Sequence, residues 1–278
     1  MNPIQNSAQE LPKDVRVAAV QMVSTPRLDE NLATAGRLIA DAVAQGAELV
    51  ALPEYFPIMG MSDGDKVALR EAEGRGPIQD FLAETAKRHG VWLVGGSLPL
   101  LAKDPGKVLN SCLVYDPSGQ RKARYDKIHL FGFQKGSECY NESATIEAGS
   151  EPVAFAAPFG RIGLSICYDL RFPELYRALG VCDLHIIPAA FTETTGRAHW
   201  EVLLRARAIE NQCYVLAVAQ GGKHENGRET HGNSMLIDPW GEIVDRQAKG
   251  EGVVIGNLDH ARLADVRASL PALKHRVM

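Results

Sequence analysis

The chain alternates short, wholly apolar runs with longer segments of helical period. VRVAAVQMV from Val15 is rich in β-branched residues and reads as a buried strand. Asn31 to Gln45 then sets Leu32, Ala35, Leu38, Ile39 and Ala42 on one helical face, with Gly46 as a stop. ELVALPE follows as a second strand running into a proline and a glutamate, which completes a strand, helix, strand unit. Pro77 to His89 repeats the helical pattern, Gly90 ends it, and VWLVGGSLPL is the next strand. Val108 to Tyr125 departs from this alternation. There LNSCLVYD and the strand after it are joined through Pro117, Ser118 and Gly119, which predicts a hairpin and therefore a mixed sheet.

Beyond a polar loop from Phe131 to Glu151, PVAFAAP and RIGLSICYD predict two strands, then a helix from about Pro173 to Leu179 and the strand DLHIIPAAF. A long helix from about Ala198 to Asn211 precedes the strands CYVLAVAQ, NSMLIDPWG and GVVIGNLD. Neither a low-complexity linker nor a short repeat interrupts the pattern. Residues 1–278 are therefore expected to form one domain, with a polar lead at 1–14 and a tail from about 260. The tail, LADVRASLPALKHRVM, suits either a short surface helix or a docking segment.

Composition narrows the function classes. With 45% hydrophobic and 23% charged residues the chain has ample material for a large core. A net charge of -4 gives no basic excess for a phosphate backbone, so nucleic acid is not an expected partner. The lead has no apolar signal region and no run reaches membrane-spanning length, which points to a cytoplasmic protein without a membrane. The five cysteines, Cys112, Cys139, Cys167, Cys182 and Cys213, make no CxxC pair and have no accompanying HExxH. Neither disulfides nor a metal are expected, and no cofactor.

Three apolar strands end on a reactive side chain: ALPEYF at Glu54, YDKIHLF at Lys127 and SICYDLRFPE at Cys167. Residues beyond strand ends can converge in one crevice although distant in sequence. Singly, each has a plainer reading: Cys167 as a small core residue, Glu54 as a solvated strand end, Lys127 as a surface charge. Together they are chemically complementary, and here the sequence resembles the nitrilase superfamily of carbon-nitrogen hydrolases from VAAVQM to VVIGNLD. The three segments look like that family's glutamate, lysine and cysteine motifs, in its order.

The resemblance implies a four-layer α-β-β-α sandwich of two mostly mixed six-stranded sheets, associating as a homodimer or larger homo-oligomer through helices around the cysteine region. It implies Glu54 as general base, Cys167 as nucleophile forming a thioester, and Lys127 with the Tyr168 backbone N–H as oxyanion donors. By the match of YNESATIEAG, Glu142 is a second glutamate supporting the lysine and the substrate, the alternative being a charged loop residue. Asp169 and Arg171 would hold the turn that presents Cys167, with Arg171 also able to pair with a substrate carboxylate. Relatives commonly carry aspartate after HLF, where this chain has Gly132, so the shape of that loop departs from the pattern.

AAFTETTGRAHWEVLLRARAIENQCYVLAVAQGG resembles the branch that includes deaminated glutathione amidases, which release 2-oxoglutarate and cysteinylglycine. Much of it also reads as helix packing through Trp200, Leu203, Leu204, Ala208 and Ile209. Thr192, Thr195 and the Gly196–Arg197 turn are expected just before the helix N-terminus, where they would favour the acidic end of a small amide. Trp200 is counted with them at the site. The alternatives are an omega-amidase acting on 2-oxoglutaramate, another small aliphatic amidase or a nitrilase, and, outside enzymes, a redox or binding protein in which Cys167 is an oxidisable thiol.

Overall fold

In the computed structural model, which describes residues 12–136 and 138–277, the apolar runs become strands and the periodic segments become helices. Most of the polar lead expected at 1–14 lies outside the described residues. The first half holds β1 (Val15–Gln21), α1 (Leu28–Ala44), β2 (Leu49–Ala51), a short α2 (Asp65–Ala68), α3 (Pro77–His89), β3 (Trp92–Val94), β4 (Leu98–Leu101), β5 (Val108–Tyr115) and β6 (Arg121–Asp126). A ribbon of β7 (Gly132–Lys135) and β8 (Glu138–Asn141) leads to β9 (Ala154–Ala157), β10 (Gly160–Leu164), α4 (Pro173–Ala178), β11 (Leu184–Ala189) and α5 (Glu193–Asn211). The chain then forms β12 (Tyr214–Ala219), β13 (Ser234–Ile237), β14 (Ile243–Gln247), β15 (Gly252–Leu258) and α6 (His260–Ser269).

Two sheets result. The first runs β15-β1-β2-β3-β5-β4, with β6 added to β5, and the second runs β14-β13-β12-β11-β10-β9. β15 returns to pair antiparallel with β1 over its whole length, Val15 opposite Leu258 and Gln21 opposite Gly252. Because strand side chains alternate, Val17 and Ala19 of β1 enter the core between the sheets with Ile186 and Leu216, while Ala18 and Val20 face α1 and α3. Leu38, Ile39, Ile78 and Leu82 of those helices cover that outer face. Tyr176, Trp200 and Leu204 of α4 and α5 cover the second sheet. The result is an α-β-β-α sandwich, the architecture expected from the sequence. Each fully buried Leu or Ile in it contributes about 1.5–3 kcal/mol.

Three local readings are corrected. The first sheet has seven strands rather than six, because VWLVGGSLPL is broken into β3 and β4. Both pair with successive parts of β5, Val94 opposite Val114 and Leu98 opposite Ser111, so a single ladder is interrupted at Gly95–Ser97. The polar loop at 131–151 contains the β7–β8 ribbon, with Gly132 opposite Asn141, and a 3-10 turn at Glu142–Ala144. Helix α5 begins at Glu193 with Thr192 as its cap, about five residues before the expected start. Gly196, read as a turn, is instead a packing glycine within the helix: a Cβ there would lie 2.3 Å from the His231 side chain. The tail forms the surface helix α6, which buries Leu263 and Val266.

Candidate active site

The segments bearing Glu54, Lys127 and Cys167 leave the C-terminal ends of β2, β6 and β10, two from the first sheet and one from the second. Lys127 is wholly buried, and its Nζ donates to Glu54 Oε1 at 2.9 Å and to Glu142 Oε1 and Oε2 at 2.9 and 2.7 Å. Burial acts against the ammonium, but the Glu142 and Glu54 carboxylates outweigh it and hold the Lys127 pKa above the usual lysine range. Glu54, also wholly buried, accepts in addition from Asn110 Nδ2 at 3.0 Å and, through Oε2, from the Ala190 N–H at 2.9 Å. Glu142 accepts from the Tyr55 hydroxyl at 2.8 Å and the Phe131 N–H at 2.7 Å. Burial favours its neutral form, yet Lys127 keeps its pKa below the usual glutamate value.

Cys167 opens a 3-10 turn, Cys167–Arg171, with φ of 51°, and Tyr55 beside Glu54 has φ of 56°. Left-handed backbone at residues other than glycine is uncommon and costs roughly 1–3 kcal/mol, so the surrounding structure must hold both in place. For Cys167 that hold is Asp169. Its Oδ2 accepts from the Ile166 N–H at 2.8 Å and the Tyr125 hydroxyl at 2.6 Å, and its Oδ1 from the His129 N–H at 3.0 Å, with His129 Nδ1 at 2.7 Å. The turn carrying the sulfur is thereby tied to the loop carrying the ammonium. Burial pushes the Cys167 thiol well above its ordinary pKa, Glu54 adds to the shift, and Lys127 opposes it. Burial and Glu54 both favour the neutral thiol over the thiolate, while Glu54 is itself ion-paired with Lys127.

A narrow inner cavity reaches Cys167 past Tyr168, Arg171, Phe191, Thr192 and Thr195. The Arg171 guanidinium lies over the rings of Tyr168 and Phe191, at 5.7 and 5.2 Å, and its Nη1 is 3.2 Å from His199 Nδ1. Thr192 Oγ1 caps α5 by accepting from the Thr195 N–H at 3.2 Å. Two residues assigned to the site lie elsewhere. Arg197 is 79% exposed and pairs with Glu193 at 3.0 Å one turn back, because the helix starts early enough to carry it outward. Trp200 is fully buried behind Phe191, ring centroids 4.7 Å apart, with its indole N–H donated to Asn233 O at 2.8 Å.

The sequence reading overlooked Tyr55, Asn110 and Arg228. Asn110 has a signal, a polar side chain inside the apolar LNSCLVYD, and Tyr55 is adjacent to Glu54 in the glutamate segment. Arg228 has none; it sits in the loop between β12 and β13 and reaches the cavity only in the fold. Gly96 is a further silent requirement. At φ of 55° it lets the β3–β4 break pass under the end of β2, where a Cβ would meet Pro53 O at 2.1 Å, and Ser97 Oγ accepts the Tyr55 N–H at 3.1 Å.

The sequence matches the carbon-nitrogen hydrolase family over residues 16–268. A Synechocystis sp. protein named deaminated glutathione amidase is 46% identical over 271 residues, 95% of this chain and 99% of that one. Omega-amidase NIT2 of Xenopus tropicalis is 37% identical over 266 residues, 94% of each. The crystal structure of the C. elegans NitFhit protein superposes with a TM-score of 0.87 at 37% identity, covering 96% of this chain and 66% of that chain. With matched fold and near full-length similarity, the chain is a member of the carbon-nitrogen hydrolase family within the nitrilase superfamily, an enzyme of the amidase type.

Proposed function

We propose that this chain is a thiol amidohydrolase that cleaves a small acidic amide through a Cys167 thioester, with deaminated glutathione as substrate. The observation that carries the chemistry is the buried Glu54–Lys127–Glu142 ion cluster at the cavity that Cys167 lines. Glu54 takes the thiol proton as sulfur attacks the amide carbon, so the nucleophile is generated only when an electrophile is present. The oxygen of the tetrahedral intermediate becomes negative against the Lys127 ammonium and the Tyr168 backbone N–H. Protonated Glu54 then gives its proton to the leaving nitrogen, and the C–N bond breaks to leave the acyl group on sulfur. Water, deprotonated by Glu54, attacks the thioester and restores the thiol. Glu142 and Tyr55 fix the position of the ammonium throughout.

For the substrate, the branch similarity and the name of the Synechocystis relative support deaminated glutathione. A second cavity of about 380 Å³, walled by β8 and residues 58–63, supports it independently, since it gives room for a dipeptide leaving group. The Xenopus relative's name favours omega-amidase activity as the second reading. Arg171, Thr192 and Thr195 would receive the acyl carboxylate in either case. Release assays on purified protein with deaminated glutathione, 2-oxoglutaramate, an aliphatic amide and a nitrile, beside Cys167→Ala, decide the matter. The expected result is highest kcat/KM on deaminated glutathione and none in the variant; a preference for 2-oxoglutaramate reassigns the substrate, and an active Cys167→Ala ends the mechanism.

Five free cysteines and the absence, among the described residues, of a helix long and apolar enough to cross a membrane are consistent with a cytoplasmic setting. A homodimer is supported by Val202 and Ile209, 68% and 48% exposed on α5.

A further inference from the structure

Two chambers meet at the reaction centre, and three residues line both: Phe131, Glu142 and Arg228. They form the throat between the inner cavity at Cys167 and the outer cavity of about 380 Å³. Phe131 is apolar, and the Glu142 carboxylate is already taken by Lys127, Tyr55 and the Phe131 N–H. Arg228 is different. Its Nη2 donates to Ala190 O at 2.7 Å and its guanidinium lies 5.2 Å from the centre of the Tyr140 ring, so the group is held in position. Yet its Nε is buried without an acceptor, and no carboxylate among the described residues pairs with it. The other cation of the outer chamber, Lys66, is engaged by Asp63 at 2.6 Å and Thr145 at 3.1 Å. The throat therefore carries one fixed guanidinium that forms no ion pair among the described residues.

An amide whose acyl part occupies the inner chamber must direct its leaving nitrogen toward the throat. Ammonia needs neither the outer space nor a cation there. An amine that continues as a short peptide ending in a carboxylate would use both, and a guanidinium binds a carboxylate through two parallel N–H bonds that an ammonium cannot reproduce. We infer that Arg228 is the specificity-determining residue for substrates whose leaving amine bears a carboxylate. The inference rests on the amidase reading above and assigns the leaving-group side of that same site.

The test varies the substrate as well as the protein. Wild type, Arg228→Gln and Arg228→Lys are assayed on three compounds: 2-oxoglutaryl-cysteinylglycine, the same compound with a C-terminal carboxamide, and 2-oxoglutaramate. Wild type should prefer the free acid over its carboxamide by about tenfold or more in kcat/KM, mainly through KM, the scale of one charge-assisted contact. In Arg228→Gln the preference should fall to about twofold or less, with Arg228→Lys between. Equal use of acid and carboxamide by wild type overturns the inference while leaving the substrate reading intact. So does a preference that survives in Arg228→Gln, or a loss on all three compounds in equal proportion, which would mean that Arg228 only positions the Ala190 segment. If neither dipeptide amide is cleaved while 2-oxoglutaramate is, the substrate reading fails first and the inference with it. Should Arg228→Gln not fold, the wild-type comparison and Arg228→Lys still decide.

Discussion

Lys127 is wholly buried between two carboxylates, so its substitution acts on stability as well as on turnover. Lys127→Met would leave Glu54 and Glu142 buried without a counterion, and breaking a buried pair from one side costs roughly 3–5 kcal/mol. In the proposed mechanism the same substitution removes an oxyanion donor, which would lower kcat by about a hundredfold to a thousandfold. Both effects are expected, read from denaturant midpoints and steady-state rates. A variant as stable as wild type would mean that the cluster is solvated, contrary to the geometry. Cys167→Ala makes the contrast, since it removes the sulfur but leaves every hydrogen bond of the cluster in place.

At the level of elements, the site depends on how the first sheet is interrupted. The break between β3 and β4 brings Gly96 beneath the end of β2, and no side chain fits there. Gly96→Ala should cost about 1–3 kcal/mol from its left-handed backbone alone, with the clash against Pro53 O added, and should reduce kcat because Tyr55 and Glu54 shift together. An unchanged unfolding midpoint would show that the strand end relaxes freely. The strands before Glu54 and Cys167 were legible because sheets covered on both faces need uninterrupted apolar runs, and a Glu or Cys closing such a run stands out. Lys127 closes the charged strand RKARYD and was legible only through the resemblance of its motif. The start of α5 was not legible, since Gly196 serves close packing against His231 and looks like a turn in one dimension. Arg228 was not legible for another reason: it comes from a loop whose path is set by contacts distant in sequence, Ala190 and Tyr140 among them.

For the whole molecule, His185 of β11 gives stability a pH dependence. It is wholly buried, neither ring nitrogen has a hydrogen-bond partner among the described residues, and burial, aided by Arg207, lowers its pKa to about 3. In the unfolded chain it titrates near about 6.5. Above that value it is neutral in both states and contributes nothing to the slope. Below it the unfolded chain binds a proton that the fold excludes, so stability falls by about 1.4 kcal/mol per pH unit as acid is added, until the folded pKa is reached. Measured from about pH 6 to about pH 4, His185→Leu should have a shallower decline than wild type by close to one proton. Parallel slopes would mean that the buried ring finds a proton partner in solution.

Asp169 joins the two sheets at one point, because Tyr125 and His129 belong to the end of the first and Ile166 to the second. A shear of one sheet past the other would stretch the Tyr125 and His129 bonds together, so the carboxylate behaves as a rivet whose failure is abrupt. Sulfur and ammonium ride on opposite sides of that rivet. Warming or a loosening substitution would therefore put them out of step before either sheet came apart, and the molecule would fall silent while still folded.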